Sequence, residues 1–538
     1  MSTATFKINP GSLLDKVCQG CENNKGLYFV LGISAFLKIF IFLASSETAI
    51  NPDGLLYISA AQQYAAGSFK VGLGIYPMPL YPLLIAIVHL IIPNWVVAAR
   101  LISLTSMVLT AIPLYLLIND TFNRTAAFWG CLAFALAPVP NSWVGDVIRG
   151  PSFMFVFAWT VYFAQRAINS AGIMYFLPAA ILAWLAVGFR MEGIMLFPFY
   201  FLFLIGLAIL YEFERPYFLK GILIWIGFPF FLFIIFYVFL GSETVSFNRI
   251  GEVILTVKDF FRLKFLDNYH KIYGYLQTIE NSPPFSGRHH NFAAVSRHYM
   301  PLIYLFGLLE TLIKVLFPFF VIPLFWGFKD QHSRSRLFLL SLVIFYLFVI
   351  YYSHVTRDFI STRFLFIPVF FLYTWVGRGM ERMFILTRKA AHSRLLASGL
   401  AVLFFLSPVY KCVHSILRQD YVITQTGKWI TAHKAFDSAR IVSNDPRILF
   451  YASRETYGDK KGNFLPYYKL GDNYSGMERL AYETQMDVLV IRISTKRKDM
   501  LSGLRHFKKV KEFIGKKRVA VVYCSKDFLS RLREKVSP

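Results

Sequence analysis

Two carboxylates stand out by where they fall. Asp53 lies in Asn51-Pro52-Asp53-Gly54-Leu55-Leu56-Tyr57, just beyond the first hydrophobic stretch, and no other acid occurs between Glu47 and Asp120. Asp146 lies in Asn141-Ser142-Trp143-Val144-Gly145-Asp146-Val147-Ile148-Arg149, which closes another apolar stretch. Carboxylates carried to one place by separate loops suit general acid–base work, and they also suit a divalent cation such as Mg or Mn. Asp53 also has a simpler reading, as the N-cap of the helix that follows. For Asp146 the simpler reading is a local pair with Arg149 or a cap on the next helix. Tyr57 is one helical turn beyond Asp53 and shares its face.

Arginines supply the complementary chemistry. Arg149, Arg190 with Glu192 (Gly188-Phe189-Arg190-Met191-Glu192-Gly193), and Arg357-Asp358 followed by Arg363 all sit at the ends of apolar stretches. A guanidinium binds two phosphate oxygens in a fixed fork and keeps its charge. Any one of these arginines also has the plainer reading of an anchor that snorkels to the interface. His270, Arg288, His289, His290 and His298 lie in the longest polar segment, and a His-His pair without a matching third ligand reads as surface. Ser282-Pro283-Pro284-Phe285-Ser286-Gly287 has the composition of a mobile lid.

The elements that must position these groups are membrane helices. Of the 538 residues, 56% are hydrophobic, 18% aromatic and 16% charged, with a mean hydropathy of +0.50. That composition specifies a polytopic α-helical membrane protein. The net charge of +25 does not imply nucleic acid, because Lys and Arg beside apolar spans serve topology and anionic lipid. Cys18-Gln19-Gly20-Cys21 has no second ligand pair, so neither zinc nor a disulfide framework is expected.

About eleven spans are expected. They lie near Leu27–Ser46, Val97–Ile118, Ala126–Pro140, Ser152–Ile168, Tyr175–Gly188, Ile194–Tyr211, Gly221–Leu240, Pro301–Phe328, Leu337–Tyr352, Phe364–Gly377 and Leu395–Tyr410. Tyr76–Ile92 is apolar but short, and it opens on Pro77, Pro79 and Pro82, so it reads as a half-buried surface helix. The basic loops agree. With Tyr76–Ile92 not crossing, Arg124, Arg166, Arg215, Lys220, Lys329, Arg334, Arg336, Arg382, Arg388 and Lys389 all fall on one side, which makes the N-terminus cytoplasmic. Asp53, the loop from Asn141 to Gly150, the segment Ser242–Met300 and Tyr352–Thr362 then face outward.

The first span reads as an uncleaved signal anchor. The expected organisation is a cytoplasmic segment 1–26, a transmembrane domain 27–412 and a soluble extracytoplasmic α/β domain 413–538. In that tail, Ala439–Ser443, Val488–Ile493 and Val519–Tyr523 read as strands and Gly427–Phe436 as a helix. Its Lys/Arg excess suits either anionic headgroups or plain solvation.

In this order, these residues resemble the GT-C membrane glycosyltransferases. The likeness is greatest to the protein mannosyltransferase-like branch (glycosyltransferase family 39-like) that includes the lipid A aminoarabinose transferases. The residues that carry it are Asp53 and Tyr57 with a helix over Ile58–Gly67, then Pro77-Met78-Pro79-Leu80-Tyr81 and Ala98-Ala99-Arg100-Leu101-Ile102-Ser103. They continue with Asp146 before Arg149-Gly150-Pro151, and Arg363-Phe364-Leu365-Phe366-Ile367-Pro368. The tail contributes Gly427-Lys428-Trp429-Ile430 and Ile441-Val442-Ser443-Asn444-Asp445-Pro446-Arg447. Two positions depart from the pattern: Gly54 stands where the family often has Glu, and Tyr76 where it often has Lys, a loss that Lys70 or Arg100 would have to make good.

The resemblance implies a GT-C fold and transfer of a sugar from a polyprenyl-phosphate donor to a glycolipid, glycan or protein acceptor on the outer face of the inner membrane. In that scheme Asp53 is the general base, Asp146 the second acid, and Tyr57, Arg149, Arg190, Glu192 and Arg363 bind substrate. A transporter or lipid flippase is the alternative, and it predicts inverted repeats and charges at mid-membrane. In the clear spans only Lys38 and Glu310 approach that. A scaffold whose tail binds a surface partner is a third reading.

Overall fold

A computed structural model describes residues 25–170, 172–240, 255, 258, 262, 264–281, 287–329, 333–387, 393–417, 420–453, 473–501 and 504–536. Cys18, Cys21, most of the segment 1–26, the stretch 282–286, Arg388 and Lys389 lie outside the described residues, as do the side chains of Arg288 and His289. The chain forms two compact units. One comprises residues up to Ile39, Leu104–Ser142 and Arg149–Cys412; the other comprises Phe40–Ser103, Trp143–Ile148 and the chain from Val413 onward.

Every expected span coincides with helix, because an apolar chain in lipid must satisfy its backbone internally. Among the described residues, five helices are long and apolar enough to cross a membrane, or six if a bent pair counts as one. Pro301–Phe328 does not run straight as expected. The helix Met300–Leu316 stops at Phe317, whose φ of 84° lies in the left-handed region, and a further helix follows at Val321–Gly327. Hydropathy cannot detect such a break, since both halves are equally apolar.

In the first unit the helix Thr362–Thr387 is the spine. It is buried without interruption from Leu365 to Gly377, as a helix apolar on all sides must be. Phe134 of the helix Arg124–Leu136 packs against its Phe370 and Tyr373, and Trp129 stacks on Phe384. Lys38 is fully buried and donates to Ser34 Oγ at 3.0 Å and to the Ala135 carbonyl at 3.3 Å. An ammonium at the carbonyl end of a helix is where the peptide dipoles favour it. Glu310 is exposed and pairs with Lys314, one turn away.

The second unit contains the tail, a four-stranded sheet in the order β1-β2-β4-β3. The strands are β1 (Ile441–Ser443), β2 (Val488–Ser494), β3 (Phe507–Ile514) and β4 (Arg518–Ser525). β1 and β2 run parallel, and the other pairings are antiparallel. Apolar layers cover both faces of the central strands, which is why β2 and β4 read as near-continuous apolar runs. Two tail expectations are corrected. β3 was not anticipated, because an edge strand facing water on most of its length carries Lys508, Lys509, Lys511 and Glu512 where buried strands carry Val and Ile. The helix expected over Gly427–Phe436 runs instead from Val422 to Ala432 and is followed by a short 3₁₀ turn at Lys434–Phe436.

Candidate active site

The helix expected from Ile58 starts six residues earlier, at Pro52, and ends at Ala65. Asn51 caps it, its side-chain oxygen accepting from the Gly54 N–H at 2.8 Å, and Pro52 takes the first turn, where a missing N–H costs nothing. Asp53 therefore is not the cap. It occupies the first turn, where the helix dipole favours an anion, and is half-buried.

Asp146 meets the same turn. Its Oδ1 accepts from the Asn51 N–H at 2.9 Å and the Val147 N–H at 2.8 Å, while the Asn51 side-chain amide donates to the Val147 carbonyl at 2.7 Å. The two loops are thus clasped, the side chain of Asp146 holding the backbone of Asn51 and the side chain of Asn51 holding the backbone of Val147. Gly54 completes the clasp. A Cβ there would lie 3.0 Å from Val147 Cβ and 3.3 Å from the Val147 carbonyl oxygen. The glycine that replaces the family's second acid is what lets the loops approach this closely.

Each loop is also held from the helix Trp95–Leu109. Arg100, 3% exposed, donates from Nη1 to the carbonyls of Ser45 (2.8 Å) and Ser46 (3.2 Å), and from Nη2 to the Thr48 carbonyl (2.7 Å) and hydroxyl (3.2 Å). Both terminal nitrogens are spent on the turn before Asp53, so Arg100 does not replace the missing phosphate-binding lysine. One turn on, Ser103 Oγ lies within hydrogen-bond reach of the Asp146 and Ile148 carbonyls at 3.2 and 3.3 Å. Lys70 is exposed on the helix Phe69–Ile75. Tyr57, 2% exposed, sets its ring edge-on to Tyr76 and Tyr81 at 4.8 and 5.3 Å. Its ring thus serves to seat the helix that bears Asp53.

The tail grips the same turn, a role that sequence reasoning missed. Thr424 donates to the Glu47 carbonyl at 2.8 Å, and Lys428 pairs with the Glu47 carboxylate. The Ile50 N–H donates to the Tyr451 hydroxyl at 3.2 Å, and Arg447 donates to the Ile50 carbonyl at 3.3 Å. Behind Arg447, Asp445 receives a two-point bond from it at 2.8 and 2.6 Å and a further bond from Arg492 at 3.0 Å. Burial pushes the Asp445 carboxyl up, but the hydrogen bonds and charge of Arg447, with Arg492 beside it, hold it below the usual carboxylate range. The Asp-Pro-Arg motif at the tail's opening was the available signal, and its carboxylate orients the arginine that reaches Ile50.

The remaining candidates lie in the first unit. Arg190, 4% exposed, forks onto Glu192 at 3.2 and 2.5 Å and packs over the rings of Phe153 and Phe364. The fork expected to receive phosphate holds Glu192 instead. Arg149 donates to the Phe189 carbonyl at 3.3 Å, beside the same turn. Arg363 opens the helix Thr362–Thr387, next in sequence to Phe364. Asp358, at a left-handed φ of 50°, accepts from Asn268 at 2.6 Å and from the Tyr304 hydroxyl. His270 and His298 are exposed.

A divalent cation needs about six oxygen ligands. Among the described residues no group of three or more His, Cys, Asp or Glu side chains could hold a metal, and Asp146 Oδ1 is already taken by two backbone N–H groups.

Residues 76–240 match the family model described as dolichyl-phosphate-mannose-protein mannosyltransferase. The oligosaccharyltransferase of Archaeoglobus fulgidus, tethered to an acceptor peptide containing the NVT sequon, superimposes with a TM-score of 0.55 at 13% identity, over 88% of this chain and 69% of that one. The oligosaccharyltransferase AglB from Archaeoglobus fulgidus in complex with an inhibitory peptide and a dolichol-phosphate gives a TM-score of 0.51 at 12% identity, over 88% of this chain and 70% of that one. The fold is that of the GT-C membrane glycosyltransferases. ArnT from Cupriavidus metallidurans bound to undecaprenyl phosphate is also similar, at 13% identity and a TM-score of 0.49 over 92% of this chain and 98% of that one. No curated protein matches the chain in sequence. Among the described residues the fold comprises five helices long and apolar enough to cross a membrane and a tail holding a small sheet.

Proposed function

We propose that the protein is an inverting glycosyltransferase that moves a sugar from a polyprenyl-phosphate carrier to an acceptor at the outer face of the inner membrane, with Asp53 as general base. The observation that carries this reading is how firmly the turn bearing Asp53 is held. Asn51 and not Asp53 caps the helix, and three sets of contacts, from Asp146, from Arg100 and from the tail, fix the turn. The dolichol-phosphate and acceptor peptide bound by the Archaeoglobus relative support a lipid-phosphate donor and an acceptor brought together on one enzyme.

In the proposed step, Asp53 removes the proton from the acceptor hydroxyl as its oxygen attacks the anomeric carbon. The bond from that carbon to the phosphate oxygen breaks on the opposite side, and configuration inverts. The leaving lipid phosphate needs a cation to meet its growing charge. Arg149, Arg190 and Arg363 are the arginines to test. Asp146 serves as a positioning residue through Asn51, and no step is routed through a metal. The segment 413–538 is assigned to the extracytoplasmic side, with the N-terminus cytoplasmic.

The test is mass spectrometry of envelope lipids and glycans from a strain lacking the gene, complemented with wild type or Asp53→Asn. A sugar-bearing species should vanish on deletion, return with wild type and stay absent with Asp53→Asn at equal membrane levels. An envelope unchanged by deletion would refute transferase function. Full restoration by Asp53→Asn would refute the base.

A further inference from the structure

The hairpin of β3 and β4 is the most basic part of the tail, and neither the fold nor the proposed reaction uses it. From Phe507 to Arg518 it carries Lys508, Lys509, Lys511, Lys516, Lys517 and Arg518 against the single acid Glu512. All six basic residues are exposed. Glu512 is shared by Lys498 and Lys509, so it offsets little of that charge. Ile514, at the end of β3, is 68% exposed although it is large and apolar. Lysine along an edge strand has a plain role, since it discourages pairing with another chain. That role does not account for lysines on the turn itself, or for an exposed isoleucine beside them.

The tip of the hairpin has a fixed place. Lys516 Nζ donates to the carbonyl of Leu417 at 2.8 Å, and Leu417 is the last residue of the helix Ser407–Leu417, which continues past the last expected span, Leu395–Tyr410. The turn is closed by the Gly515 N–H bonding to the Arg518 carbonyl at 2.8 Å. It lies so near the chain after that helix that a Cβ on Gly515 would stand 2.2 Å from Asp420 Oδ1 and 2.6 Å from Val422 Cγ2. Leu417 itself is 67% exposed, as a side chain at the lipid boundary should be. The hairpin tip is therefore held against the end of the helix that follows the last expected span. An exposed isoleucine next to Lys516, Lys517 and Arg518 on one turn matches the two layers of a membrane surface, acyl chains and headgroup phosphates.

We propose that the β3–β4 hairpin docks the tail onto the bilayer, with Ile514 entering the acyl boundary and the surrounding lysines and arginine binding anionic phospholipid headgroups. A spin label at Ile514→Cys, in full-length protein carrying Cys18→Ser and Cys21→Ser, tests this in nanodiscs of phosphatidylcholine alone or with phosphatidylglycerol. Cys131, Cys412 and Cys524 are buried and stay unlabelled. The ratio of collisions with oxygen to collisions with a water-soluble nickel chelate should rise roughly threefold or more in the anionic discs. It should fall back in Lys511→Glu/Lys517→Glu, and a label at Tyr482→Cys, exposed on the helix Tyr474–Glu483, should not respond. Hydrogen exchange of peptides from 505 to 518 in the unmodified protein should slow in the same discs, a readout that needs no variant. Equal water access of the Ile514 label in both lipids, or unchanged exchange, overturns the proposal. So does a response to soluble acidic polysaccharide without one to lipid, which would make the hairpin a glycan-binding surface.

Discussion

Replacing Asp146 separates the two acids by role. Its Oδ1 accepts two backbone N–H bonds, from Asn51 and Val147. A bond to a charged acceptor contributes about 1.5–3 kcal/mol and one to a neutral acceptor about 0.5–1.5 kcal/mol. Asp146→Asn keeps an oxygen in place, so each bond weakens by about 1 kcal/mol and the clasp by about 2 kcal/mol. At about 1.4 kcal/mol per factor of ten, the ceiling on lost transfer is roughly 30-fold. Asp146→Ala leaves both N–H groups without that acceptor, at about 1–3 kcal/mol each, and should cost more than Asn does. Loss of a general base at Asp53 should cost about 10²–10⁴, more than that ceiling. With the glycan product identified from the deletion strain, initial rates are measured by mass spectrometry in membranes holding equal amounts of each variant. Asp146→Asn should lose no more than roughly 30-fold, and Asp53→Asn about 100-fold or more. A loss in Asp146→Asn as great as in Asp53→Asn would refute the positioning role and make Asp146 the base.

Gly54→Glu supplies the acid common in the family yet should impair the protein, because its Cβ meets Val147 Cβ at 3.0 Å. The expected destabilisation is about 1–3 kcal/mol, read by thermal unfolding, and Val147→Ala should recover part of it. Asp445→Asn should destabilise the tail at neutral pH, measured by hydrogen exchange of tail peptides. The folded carboxyl lies below its ordinary value, so its contribution is present above about pH 4 and fades as pH falls through the lowered value. The difference between wild type and variant should therefore close below about pH 4 and hold constant at higher pH.

Length and apolarity made the spans legible, since a helix crossing lipid has no alternative way to pair its backbone. The same measures were blind to the break at Phe317, where conformation changes and composition does not. In the tail, β1, β2 and β4 were readable because they are buried on both faces. β3 was hidden by its own lysines, and Val422–Ala432 was misplaced by several residues because its buried face belongs to the tail core. The acids were picked out by type and position, but their duties were not. Asn51 and Asp146 are 95 residues apart, and no local pattern records that one caps the helix while the other anchors the cap. Arg190 and Glu192 are only two residues apart, and their pairing was open to inspection. The expectation placed both in the substrate site and did not include their pairing with each other.

Arg100 and Ser103 show how a motif can be recognised for its order and misread for its chemistry. One helical turn carries both, and each binds backbone carbonyls of a different loop, 45–48 for Arg100 and 146–148 for Ser103. A guanidinium suits the first task because its planar fork reaches several carbonyls at once, which an ammonium does not. A hydroxyl suits the second because the loop passes within a single hydrogen bond of the helix. Arg100 thus acts on the backbone of the turn before Asp53. Glu47, Thr424, Arg447 and Tyr451 extend that principle to the tail, whose hydrogen bonds end on residues 47–50 just ahead of Asp53. A general base gains from such fixation because misplacement by about 1 Å can cost a hundredfold. The tail's grip on this turn gives the segment after the last span a reason to be folded at all.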